Sequence, residues 1–270
     1  MPAERTLLAS FPLPKKGETQ PDDKKLLSLY DTEDYYLIEF HSPKDNRLSN
    51  VFIDAFVEAL HYLLATKEDE PKPLVTTSAI PKFYSNGLDL EAAMKTDRFF
   101  ERYLGRLQRS LLEFPWPTIA YVNGHAFAGG FILANSHDFK VQNDKKGWLC
   151  MNEIEFDAPL IGQLMSIHAH QYGPVIGRKI TMMGHRFTAA EALKDGIIDA
   201  AGGWDEVEEI VVKVRNSVGK NSYGQMRMTM FAPVLDHCIN YYEEEARDVA
   251  RQAAARDHQA ARIEEVKAKL

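Results

Sequence analysis

Residues 115–130 read PWPTIAYVNGHAFAGG, and the reading of this stretch decides the fold. Pro115-Trp116-Pro117 ends any helix before it, because proline offers no backbone N–H. Thr118 to Val122 is a compact apolar strand. Asn123-Gly124-His125 is a turn. Ala128-Gly129-Gly130 then opens an apolar helix that runs to about Ser136. Upstream the same order recurs: a strand at 73–80 (PLVTTSAI), then the glycine-containing loop FYSNGLDL (83–90), which leads into a helix. The first N–H groups of a helix lack intrahelical partners, and the dipole there favours negative charge. Glycine lets backbone approach a ligand closely. Two such junctions, if they converge, aim two N–H donors at one oxygen, an oxyanion hole. A plain tight turn is the alternative for each. Neither loop is a GxGxxG or a GxxxxGK[ST], so a nucleotide phosphate cradle is unsupported.

Working outward, Leu26–Tyr30 and Tyr35–Phe40 read as strands joined at Asp31-Thr32-Glu33-Asp34. Ser49 or Asn50 caps a helix in which Val51, Phe52, Ala55, Phe56, Ala59, Leu60, Leu63 and Leu64 recur at helical spacing. An amphipathic helix is expected over 99–114. Short strands follow at 139–142 and 148–151. Beyond Pro159 the chain reads as helices broken at Gly173, Gly196 and Gly202-Gly203, with a capping box at Thr188-Ala189-Ala190-Glu191. Residues 241–270 mix acids and bases over a weak apolar stripe, a solvated helix with one face to pack. The expected organisation is α/β: a polar N-terminal extension over 1–25, a core over 26–205 and a helical region over 206–270.

Composition narrows the function. The 270 residues are 45% hydrophobic and 26% charged, ordinary for a globular chain that needs no disulfide or metal to fold. With 39 acids against 32 bases the net charge is −7, which disfavours non-specific nucleic-acid binding. Cys150 and Cys238 have no zinc spacing and read as reduced, buried thiols. His168 and His170 face different sides of a helix, and no third metal ligand is apparent. The apolar-rich stretch 117–139 carries Asn123, His125, Asn135, His137 and Asp138, so it is a poor membrane span.

The stretches FYSNGLDL (83–90), PWPTIAYVNGHAFAGG (115–130), SHDF (136–139) and MNEIEF (151–156), with NRLS (46–49) and TAAEALKDGIID (188–199), resemble in order and spacing the crotonase family, the enoyl-CoA hydratase/isomerase superfamily. The likeness covers about 26–220. It implies a ClpP-like spiral of repeated ββα units with a helical C-terminal region, acyl-CoA thioester as substrate, and no cofactor beyond the coenzyme A that the substrate carries. It also implies that the backbone N–H groups of Leu88 and Gly129 hold the thioester enolate. Ser85, Asn86, Gly87, Asp89 and Gly130 of the two loops, and His125 at the junction, are candidates to meet substrate. A histidine in that position also reads as a hydrogen-bonded structural residue.

Hydratases of the family use two glutamates. The first maps onto Ile132, which can neither position a water nor donate a proton; the second maps onto Glu153, allowing one inserted residue in the 143–147 loop. One glutamate suits a Δ3,Δ2-enoyl-CoA isomerase, the base taking a proton from C2 and returning one to C4. The plant peroxisomal isomerases look most similar. Apolar neighbours Trp148, Leu149, Met151, Ile154 and Phe156 are expected to raise the pKa of Glu153. Glu155 is the serious rival base, since it alternates with Glu153 on an expected strand; Asp157 is weaker, and Asp89 and Asp138 read as a cap and a turn-fixing residue. Another crotonase reaction, hydration or thioester hydrolysis, or a non-catalytic acyl-CoA-binding homologue, are the alternatives. The resemblance further implies a trimer or a hexamer of two trimers. Ala268-Lys269-Leu270 keeps the small–basic–leucine pattern that a peroxisomal import receptor reads, and together with the resemblance to isomerases of unsaturated fatty-acid oxidation it gives the peroxisome matrix as the expected location.

Overall fold

The computed structural model describes residues 4–15, 17–18 and 25–270. Its apolar runs pair into two sheets. The larger runs in the order β1 (Thr6–Phe11), β2 (Leu27–Asp31), β3 (Tyr36–Phe40), β4 (Leu74–Ser78), β6 (Thr118–Val122), β8 (Phe139–Gln142) and β10 (Ala200–Ala201). The smaller consists of β5 (Phe83–Ser85), β7 (His125–Phe127) and β9 (Leu149–Cys150). The pairs β1–β2 and β2–β3 are antiparallel, and every other pair in both sheets is parallel. All residues of β4 and β6 are buried, which is why both read as continuous rather than alternating runs.

Helix α1 (Asn50–Thr66) starts where Ser49 Oγ accepts from Phe52 N at 3.2 Å, and it buries Phe52, Phe56, Leu60 and Leu63 along one stripe. Helix α2 (Leu90–Lys95) is short and buries nothing. The expected helix over 99–114 opens as a π-helical turn, Phe100–Gly105, and continues as α3 (Arg106–Leu112). Helix α4 (Gly129–Asn135) is buried along its whole length. Helix α5 (Gly162–Thr181) is broken at Gly173 (φ 63°, ψ −176°), before Pro174. The Thr188–Glu191 capping box opens α6 (Ala189–Lys194). Helix α7 (Trp204–Val214) lays Val207, Ile210 and Val211 against Leu37, Val75, Ile119 and Val141 of the large sheet. Helices α8 (Asn221–Met230), α9 (Ala232–Ile239) and α10 (Tyr241–Lys267) complete the C-terminal region, and α10 buries none of its residues.

The spiral is visible in the succession β4–β5–α2, β6–β7–α4 and β8–β9, in which each turn lends one strand to each sheet before a helix. In the third turn a 3-10 segment, Glu153–Phe156, stands where a helix would start.

Two expectations need correction. Part of the N-terminal extension belongs to the core: Thr6–Phe11 pairs antiparallel with β2, and Phe11 is fully buried against the Tyr62 ring edge. Its short run TLLASF, with four apolar residues of six, was hidden by the polar, proline-rich stretch around it; residues 1–3, 16 and 19–24 of that extension lie outside the described residues. The strand expected over 148–151 is limited to Leu149–Cys150. Glu153 and Glu155 therefore sit on a tight 3-10 turn and do not share a strand face.

Candidate active site

The loops after β5, β7 and β9 converge, because those strands are parallel neighbours and their C-terminal ends lie side by side. Such a row of strand ends is where ligands bind in parallel-stranded folds. The first loop reaches Leu88 through Gly87 (φ 85°), a left-handed conformation suited to glycine. A Cβ on Gly87 would lie 2.8 Å from Phe127 O and 3.2 Å from Gly129 N, so the two loops touch. A Cβ on Gly130 would overlap the Ser85 carbonyl. Ala128 is held at φ 51° and ψ −121°, a strained conformation for a residue with a Cβ, immediately before α4.

This packing leaves two N–H groups free. Leu88 forms a parallel bridge with Leu48, in which Leu48 N donates to Gly87 O (2.8 Å) and Asp89 N donates to Leu48 O (3.2 Å). A trans peptide points its C=O and N–H in opposite directions, so the Leu88 N–H faces away from Leu48. Gly129 is the first residue of α4, and its N–H has no intrahelical acceptor. Two donors beside each other can hold an anionic oxygen.

A cavity of about 290 Å³ opens at this point. Leu88, Leu90, Phe100, Phe127, Leu160 and Leu164 make it apolar, and Asn86, Ala128, Asn152 and Glu153 also line it. Glu153 is the sole carboxylate among the lining residues, and its Oε2 is buried with no hydrogen-bond partner. Burial pushes its pKa above the ordinary carboxylate value, because the charged form loses water, and the hydrogen bond from its own backbone N–H offsets that loss only in part.

The other candidates are placed elsewhere. Glu155 leaves the cavity and forms a two-pronged pair with Arg186 at 2.9 and 3.0 Å. Asp157 is exposed at φ 56°. Asp89 caps α2, accepting from Ala92 N at 3.0 Å. Ser85 is buried behind the loop, its hydroxyl donating to Asn46 O (2.7 Å). His125 accepts from Trp148 N at Nδ1 (3.2 Å) and lies between the rings of Phe83, Phe127 and Trp148, off the cavity wall. Ile132 is fully buried in α4. His168 is buried with Nδ1 2.9 Å from Asn135 Nδ2, and no group of side chains among the described residues could hold a metal ion. Arg47, Phe100, Leu160 and Leu164 were missed in the sequence; they come from separate elements, and no local spacing links them.

A sequence profile described as enoyl-CoA hydratase/isomerase matches residues 33–265. The chain belongs to this family. Among curated relatives, the peroxisomal enoyl-CoA delta isomerase 1 of Arabidopsis thaliana is 29% identical over 228 residues, covering 81% of this chain and 95% of that one. A carnitinyl-CoA dehydratase of Salmonella typhi is 29% identical over 175 residues, 64% of this chain and 66% of its own. A crystal structure of an enoyl-CoA hydratase from Mycobacterium ulcerans superposes with a TM-score of 0.70 at 19% identity, covering 80% of this chain and 95% of that one, which establishes the shared crotonase fold.

Proposed function

We propose that the protein isomerises 3-enoyl-CoA to trans-2-enoyl-CoA. The observation that carries this reading is the single carboxylate in the cavity: Glu153 lines it, and Ile132, which stands where a second acid would be needed, is core. The thioester oxygen accepts from Leu88 N–H and Gly129 N–H. Glu153 takes the proton from C2, and the electrons delocalise through the former C3–C4 double bond into a dienolate. The protonated Glu153 then returns a proton to C4, the double bond ends between C2 and C3, and the carboxylate is regenerated. A pKa raised by burial suits both steps, because the group must accept and then release a proton. Hydration would need a second acid to handle water, and none lines the cavity.

The test is conversion of 3-hexenoyl-CoA to its 2-enoyl isomer with a coupled hydratase added afterwards. Isomer without hydroxyacyl product before coupling supports the reading; direct hydration overturns it. The peroxisomal relatives and the exposed Ala268-Lys269-Leu270 support a place in the peroxisome matrix, reached through an import receptor. A fluorescent protein fused at the N-terminus should give puncta that become cytosolic when these three residues are deleted. Assembly as a trimer or hexamer is read by light scattering.

A further inference from the structure

We propose that Arg47 is a positioning residue for the Leu88 N–H, acting on enolate formation rather than on substrate affinity; this rests on the enolate reading above. Four successive residues of the first loop are tied to the segment 45–48. Asn86 N donates to Asp45 O (2.9 Å), Leu48 N to Gly87 O (2.8 Å), Asp89 N to Leu48 O (3.2 Å), and Arg47 Nη1 to Leu88 O (3.1 Å). The first three are backbone ties on the side facing Leu48. Arg47 supplies the tie on the other side, the side that carries the Leu88 N–H, because a residue in an extended bridge points its own N–H and C=O the same way.

That placement matters electrostatically. Leu88 O is a lone-pair-bearing acceptor next to the donor that must meet an anionic oxygen. The guanidinium occupies that carbonyl and is the sole cation among the cavity-lining residues. It is itself aimed by Asp45, whose Oδ2 accepts from Arg47 Nε (3.1 Å) and from Asn86 Nδ2 (2.7 Å). The fork of arginine is what bridges carboxylate and carbonyl together; a lysine point charge lacks that geometry. The residue is 42% exposed along its side chain, so its replacement leaves the core intact.

The experiment measures deuterium exchange at C2 of hexanoyl-CoA and turnover of 3-hexenoyl-CoA in wild type, Arg47→Met, Arg47→Lys and Asp45→Asn. A misaimed donor should lower both rates about 10- to 10²-fold in Arg47→Met, with KM changed less than about threefold. Arg47→Lys should keep most of that loss, and Asp45→Asn should show a smaller loss of the same kind. Full rates in both Arg47→Met and Asp45→Asn overturn the proposal. So does a rise in KM at unchanged kcat, or complete rescue by lysine. Absence of exchange in wild type sinks the enolate reading itself, whereas exchange in wild type without isomerisation sinks only the isomerase reading and leaves the Arg47 test in force.

Discussion

Asp138 and Glu153 are both turned inward from loops that follow elements of the spiral, yet their surroundings are opposite. Asp138, between α4 and β8, accepts from Thr118 N (2.8 Å) and Thr118 Oγ1 (3.0 Å) and lies 3.0 Å from Arg227 Nε. Arg227 is buried in turn and donates to Leu111 O and Trp116 O, joining α8 to the end of α3 and to the segment that leads into β6. Glu153 has apolar walls and an oxygen with no donor. Burial is common to both; partners are not. A carboxylate held by two Thr118 donors beside a buried guanidinium is cement, whereas one with an unpartnered oxygen inside an apolar cavity is suited to the role of base proposed above.

The comparison breaks first if Asp138 proves dispensable. Asp138→Ala strands the Arg227 guanidinium without its counter-charge, and the expected loss is about 3–5 kcal/mol of stability by denaturant unfolding. A loss below about 1 kcal/mol would show that the pair holds nothing. Glu153→Gln is expected to behave in the reverse manner: turnover should fall at least ~10²-fold, about 2.7 kcal/mol of barrier, while acyl-CoA still binds. Near-normal turnover would remove Glu153 from the mechanism.

The pH dependence sharpens the contrast. The folded protein holds the Glu153 proton more tightly than the unfolded chain does, since burial raises this pKa. Stability is therefore undiminished below the unfolded value of about 4.3 and falls as pH rises through the window up to the raised folded value. Glu153→Gln should consequently unfold at higher denaturant than wild type at pH 7, and the gap should close below about pH 4. The acid limb of kcat/KM against pH should lie above the ordinary glutamate value, and an acid limb at about 4.3 would contradict the desolvated carboxyl. The smallest effect is expected at Glu155→Gln, which breaks only the exposed Arg186 pair: less than about 1 kcal/mol in stability and no change in turnover.

What the sequence disclosed follows the range of the forces involved. Strand β6 at Thr118–Val122, the Ser49 cap and the Thr188 capping box were legible because each is encoded within a few residues. The glycine loops were legible as helix openings, and Leu88, Gly129 and Glu153 as candidate functional groups only through the family resemblance. The fate of Glu155 was not legible: its alternation with Glu153 suggests a shared strand face, whereas the turn that ends in Asp157 at φ 56° sends it to Arg186. Nor was the cavity, whose walls from Arg47, Phe100 and Leu164 are assembled by tertiary packing alone. Strand β1 was hidden because one apolar edge run carries little weight amid lysines and prolines.

The placement of Leu88 and Gly129 after β5 and β7, with Glu153 after β9, has a consequence for inheritance. The two donors are main-chain atoms, present whatever side chain a codon specifies, and among point substitutions only a change to proline deletes one outright. The acid is a side chain on a separate turn of the spiral, open to replacement at any time. In the proposed mechanism, grip on the thioester and choice of reaction are thus written in different alphabets, and a lineage can rewrite the second while leaving the first untouched.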